Sequence, residues 1–140
     1  MLTLTQAQKI AEAALTHAGN QGYKPLAICV LDARGALKFF AAQDGTSLKR
    51  GEIALGKADG AMALGLGSRA LMKRAETQAY FIAGAASAIG GSLVAVPGGV
   101  LIKQDGEIIG AVGISGDTSD HDEAVAITGI VAAGFEADGG

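Results

Sequence analysis

Lys57 interrupts an otherwise apolar helical stripe. Between Gly51 and Leu66 the residues Ile53, Ala54, Lys57, Ala58, Ala61 and Leu64 recur at helical spacing and share one face. A lysine there either runs its ammonium along the helix to water or points into a cleft, where an anion would pair with it. Asp122 raises the same question for an acid. It precedes Val125, Ala126 and Gly129 at i+3, i+4 and i+7, so it lies over the inward stripe of its helix. Asp44, within Gln43-Asp44-Gly45-Thr46-Ser47, is a turn former or cap by composition, or else a third ionisable group for the same site. In an enzyme, Lys57 would hold an anion or exchange a proton. Asp44 or Asp122 would move the proton, and amides near Ser115-Gly116 would stabilise an oxyanion.

The remaining chemistry-bearing residues are sparser. His17 sits on or beside the stripe of an opening helix that includes Ile10, Ala14 and Ala18, either as a helix-face histidine near the C-terminal end or as a metal or haem ligand. His121 neighbours Asp122 but faces another way, which reads as a surface position. The two histidines are far apart in sequence and Cys29 is embedded in the strand-like AICVLD, so no metal site is expected. Ser115 lies in Gly-Ile-Ser-Gly, which is not a nucleophile elbow. The glycines from Gly110 onward lie along a strand rather than at a strand-to-helix turn, so they do not form a dinucleotide fingerprint.

The elements that must position these residues centre on Val94 to Glu123. Two apolar runs flank Asp105-Gly106, a pair suited to a tight hairpin turn, and the second run leads through Ser-Gly-Asp-Thr into a helix starting near Ser119 and ending by about Phe135. Pro97-Gly98-Gly99 at the hairpin's entry and Gly116 at its exit let backbone approach a ligand or another element. A cleft between the 96–116 hairpin and the 51–66 helix is the expected binding site, lined by Lys57, Gly98, Gly99, Ser115, Gly116 and Asp122.

Upstream, Thr5-x-x-Gln8 has the form of a capping box that opens a helix running to about Gln21. Pro25–Asp32 and Ala36–Ala42 read as a first hairpin turning at Ala33-Arg34-Gly35. Ser68 would cap a helix over residues 68–81 whose Arg69, Lys73 and Arg74 form a solvated face, and residues 82–91 read as either a helix end or a loop. At least four strands result, with helices before, between and after them.

Composition bounds the function. The 140 residues are 49% hydrophobic, enough for one domain over 1–140 to build a core without metals or disulfides. A net charge of -3 and the absence of a Lys/Arg run argue against nucleic acid as a partner. The longest low-charge stretch, residues 79–102, is repeatedly broken by glycine and proline, which argues against a membrane span. A lone cysteine and no visible signal peptide make the cytoplasm the expected location.

Taken together, the stretches Val-Pro-Gly-Gly, Ile-Ile-Gly-Ala-Val-Gly-Ile-Ser-Gly and Asp-Glu-Ala-Val-Ala resemble the GlcG/HbpS family, haem-binding and haem-degrading domains also found at the C-terminus of PduO-type adenosyltransferases. The resemblance spans nearly the whole chain, including VLDARG, the Asp44-Gly45 loop and Ile53-Ala54-x-x-Lys57-Ala58. It implies an α/β (α+β), profilin-like fold with an antiparallel sheet of about five strands flanked by helices. It also implies homo-oligomers, commonly octamers or other even assemblies, and haem as the ligand, with His17 or His121 as the candidate axial donors. Two positions depart from the family pattern. Ala42 stands where members usually carry an arginine, leaving Lys57 as the main cation, and Val100-Leu101-Ile102 replaces the usual x-Pro-Ile. Three functions follow: a small-ligand binding protein of the haem-binding type; a cofactor-independent isomerase, lyase or hydrolase acting on a small carboxylated or carbonyl catabolic substrate; or an accessory or assembly protein without chemistry.

Overall fold

The computed structural model describes residues 1–140. Its elements in order are α1 (Leu4–Gln21), β1 (Ala27–Asp32), β2 (Leu37–Ala42), α2 (Arg50–Leu64), α3 (Ser68–Thr77), α4 (Ala79–Ala88), β3 (Gly99–Gln104), β4 (Glu107–Ser115), α5 (Ser119–Ala132) and β5 (Glu136–Asp138). The strands form one antiparallel sheet in the order β2-β1-β4-β3-β5. This is the profilin-like α+β arrangement that the resemblance implies.

β1 and β4 lie at the centre of the sheet, and every residue of β1 is buried. Alternate side chains of β1 therefore serve two cores. Ile28 and Val30 join Val112 and Ile114 beneath α1 and α5, packing on Ile10, Ala14, Val125 and Ile130. Ala27, Cys29 and Leu31 face the other way, with Ala111, onto Ala54, Ala58 and Ala61 of α2. The second core is thin because α2 rests almost directly on the sheet. A Cβ at Gly113 would stand 2.0 Å from the Ala54 carbonyl oxygen, so glycine there is what permits the contact. Close packing also accounts for a helix with glycines in its interior, each costing about 1 kcal/mol of helical propensity relative to alanine.

Several element ends differ from the sequence reading for identifiable reasons. The capping box is formed by Thr3 and Gln6 rather than Thr5 and Gln8. Both pairs have the right spacing, and the buried Leu2 settles the register by packing ahead of the cap in the same core as Ala7, as a hydrophobic staple does. Ser68 does not cap α3; Gly67 holds that position, and the fully buried Ser68 hydroxyl accepts from Gly99 N at 2.7 Å. The helix expected over 68–81 breaks at Gln78, whose extended φ of -138° starts α4, so residues 82–88 are helical. α5 stops at Ala132. Gly134, at φ 90°, and the bond from Phe135 N to Ile130 O close it in a Schellman turn. The chain then forms β5 against β3, a strand the pattern of Glu136, Ala137 and Asp138 does not signal.

The hairpin turn behaves as expected. Asp105 and Gly106 both take positive φ, 52° and 79°, the type I′ signature of a two-residue connection. β4 thus delivers Ser115 and Gly116 to the start of α5, directly above α2.

Candidate functional site

α2 and α5 bring Lys57 and Asp122 together. Lys57 Nζ lies 3.2 Å from Asp122 Oδ2 and donates to the Ile114 carbonyl at 2.8 Å, and each residue is 1% exposed. Asp122 also accepts from Gly116 N through Oδ2 at 3.3 Å and from Asp117 N through Oδ1 at 3.0 Å. Burial pulls the Lys57 pKa below its ordinary value, against the attraction and hydrogen bond of Asp122, and the nearby Arg50 charge adds to the lowering. The two charges cancel within the pair, and both side chains are hydrogen-bonded to protein atoms.

The proposed cleft between hairpin and helix is closed. Gly98, at φ 123°, leaves no room for a Cβ, which would stand 2.8 Å from Lys57 Nζ; at Gly99 a Cβ would lie 2.3 Å from the Lys57 carbonyl oxygen. These glycines admit the α2 backbone and the lysine side chain rather than a ligand. None of the surface cavities is lined by Lys57, Asp122, Gly98, Gly99, Ser115 or Gly116. Asp44 is exposed on the β2–α2 loop and is not brought to the pair.

Ser115 is buried and accepts from Arg50 Nη1 at 3.2 Å. Arg50 is a cation that the sequence reading passed over. Ala42 and Ser115 both pair with Ala27, so they share one row of the sheet, and a guanidinium from α2 reaches the row where an arginine at position 42 would stand.

The histidines, far apart in sequence, come into one cluster. Tyr23 follows the left-handed C-cap Gly22 of α1, and its ring stacks on His121 with centroids 4.1 Å apart. His17 meets the same tyrosine edge-on, at 6.5 Å. His121 Nδ1 is 2.6 Å from Asp117 Oδ1, and its side chain remains 45% exposed. Hydrogen bonds from Lys24 N and Thr118 N, joined by His121, hold the Asp117 carboxyl down at about 2. An ionised carboxylate only accepts, so the neutral imidazole must carry its proton on Nδ1 and keep its lone pair on Nε2. A carboxylate-oriented imidazole of this kind is the arrangement that supports metal ligation. His17 borders an open groove of about 440 Å³ between α1 and α5, with Thr16, Asn20 and Thr128 beside it. No group of three or more His, Cys, Asp and Glu side chains converges as a metal cage. A single imidazole on a porphyrin iron needs no such cage.

Comparison with known families gives the cluster its context. The model of the family described as haem degrading protein, HbpS-like, matches residues 2–131. The chain belongs to this HbpS-like family. Among solved structures, this HbpS-like chain is similar to a PduOC–haem complex, at 26% identity, a TM-score of 0.85 and 96% coverage of both chains. It is similar to HbpS, at 27% identity and a TM-score of 0.81 over 93% of this chain and 88% of that one. It is also similar in fold to the Klebsiella pneumoniae protein ORFY, at 22% identity and a TM-score of 0.81, over 94% of this chain and 89% of that one. The comparison with curated proteins finds no match. Haem-related binding is therefore supported at the level of the family, and no helix is long and apolar enough to cross a membrane.

Proposed function

We propose that this HbpS-like chain is a haem-binding protein that takes the iron on the face formed by the end of α1 and the start of α5, with His121 as the axial donor. The observation that carries this reading is the 2.6 Å contact of His121 Nδ1 with the ionised Asp117, which leaves Nε2 as the free lone pair on a side chain 45% exposed. The family match and the haem-bound relative support haem as the ligand. His17, edge-on to Tyr23 and at the border of the groove, is the alternative donor on the same face. No comparable observation favours acid–base catalysis by Lys57, Asp122 and Asp44, since the first two neutralise each other out of contact with water.

Self-association belongs to the same reading. α4 carries no charged residue and buries none of its residues, and Tyr80 is 74% exposed, so an apolar helix stands uncovered on a single subunit. A second copy of the chain covering α4 accounts for it. Titration of the apoprotein with hemin, read at the Soret band, tests the haem assignment. A saturable red shift that His121→Ala abolishes and His17→Ala only alters is expected, whereas equal binding by the His121 variant would move the axial donor elsewhere.

A further inference from the structure

Every carboxylate-paired cation in the fold is accounted for within the chain. Arg34 pairs with Asp32, Lys49 with Glu52, Lys57 with Asp122, Arg69 with Asp120 and Glu123, and Lys103 with Asp138. Arg50 differs from both these and the free surface lysines. It has no carboxylate within ion-pair distance, yet its guanidinium is half-buried and fixed at two points, Nε donating to Ser47 Oγ and Nη1 to Ser115 Oγ, each at 3.2 Å. Ser115 itself is fully buried at the end of β4, so one of the two anchors is part of the core.

A guanidinium has five N–H donors, and the two serines occupy two of them. Three remain in a planar fork already held in place, so little side-chain entropy is lost when an anion arrives. The charge is also unopposed nearby: Lys57 and Asp122 cancel each other, Glu52 is engaged by Lys49, and the loop acid Asp44 makes no contact with Arg50. The first turn of α2, where Arg50 starts the helix, adds the positive end of its dipole.

We propose that Arg50, braced by Ser47 and Ser115, is a carboxylate-binding site at the junction of the β2–α2 loop with the end of β4. The planar fork matches a carboxylate bidentately, and the two serine hydroxyls orient it rather than compete with it. The carboxylate has two sources, a free small organic acid or a carboxylate side arm of a porphyrin held by His121. The second source rests on that haem reading, while the first does not.

Amide and Arg Nε–H shifts in nitrogen-15 NMR test the site on the haem-free chain, with sodium acetate as the probe and sodium chloride at equal ionic strength as the control. Saturable shifts at Ser47, Arg50 and Ser115 are expected, with a dissociation constant on the order of millimolar for two charge-assisted hydrogen bonds from a pre-oriented guanidinium. Binding should weaken by about tenfold or more in Arg50→Gln and by less in Arg50→Lys, which keeps the charge and loses the fork. Unchanged binding in Arg50→Gln, or no saturation in the folded wild type, overturns the proposal, as does inorganic phosphate binding more tightly than acetate. Hemin and its dimethyl ester separate the sources. Loss of hemin affinity in Arg50→Gln with ester affinity unchanged assigns the site to the porphyrin's carboxylate, while intact hemin affinity together with lost acetate binding assigns it to a free acid. Failure of hemin to bind at all leaves the acetate result standing.

Discussion

Lys57 Nζ and Asp122 Oδ2, separated by 65 positions in the chain, meet at 3.2 Å with both side chains withdrawn from water. The contact joins α2 to α5 across the end of the hairpin. Removing either partner leaves a buried charge without compensation, which costs about 3–5 kcal/mol, whereas replacing both by apolar residues of similar volume is close to neutral. Lys57→Met and Asp122→Leu should therefore each destabilise the fold by that amount in urea unfolding, and the double variant should lose less than the sum of the two, retaining the cost of the unpaired Gly116 and Asp117 amides. Additive losses in the double variant would show that the pair is not the source of the effect.

Asp117 gives the fold an acid-sensitive edge. Its carboxyl is lowered from an ordinary 3.8 to about 2 in the folded state. The sign follows from linkage: a depressed acid contributes stability that is complete above its unfolded value and is lost as pH falls through its folded one. Unfolding free energy should decline between about pH 4 and pH 2, and Asp117→Asn should flatten that part of the profile. A wild-type profile indistinguishable from that of the variant would remove the Lys24, Thr118 and His121 contacts as the cause.

Cys29 should be inert in the native state. It is buried in β1, and loss of hydration pushes its thiol up to about 12. Iodoacetamide at pH 8 is expected to label the chain only under denaturing conditions, as read by mass spectrometry. Rapid stoichiometric labelling of the folded protein would show that the strand opens.

α4 should control assembly. Tyr80→Asp puts a charge on a helix that has none and that the subunit does not bury. Light scattering coupled to size-exclusion chromatography should show a smaller mass for this variant than for the wild type, with the circular dichroism of the fold retained. An unchanged mass would place the subunit contact on another surface.

The legible parts of the sequence were those with strong local chemistry. Asp105-Gly106 specifies its own turn, and the apolar runs on either side of it specify β3 and β4. The position of Asp122 over an inward stripe agrees with its burial, whereas the spacing of Lys57 left its direction open. Whether they line a cleft or close on each other depends on how near α2 comes to the sheet, and that distance is set by glycines whose neighbours belong to other elements. Arg50 was hidden because a cation at a helix start reads as solvated, and nothing local reveals that Ser115 lies within its reach. The histidine cluster needed Tyr23, which stands outside any periodic element and joins His17 to His121 only after α1 and α5 pack.

An imidazole oriented by Asp117 is the proposed ligand of a haem iron. Hemin titration of wild type, His121→Ala and Asp117→Asn at pH 7, followed at the Soret band, tests it most directly. A saturable shift is expected in the wild type, with its loss in His121→Ala and an affinity reduced by about 10–100-fold in Asp117→Asn, where the ring is no longer oriented. Equal Soret shifts and affinities in all three proteins would contradict it.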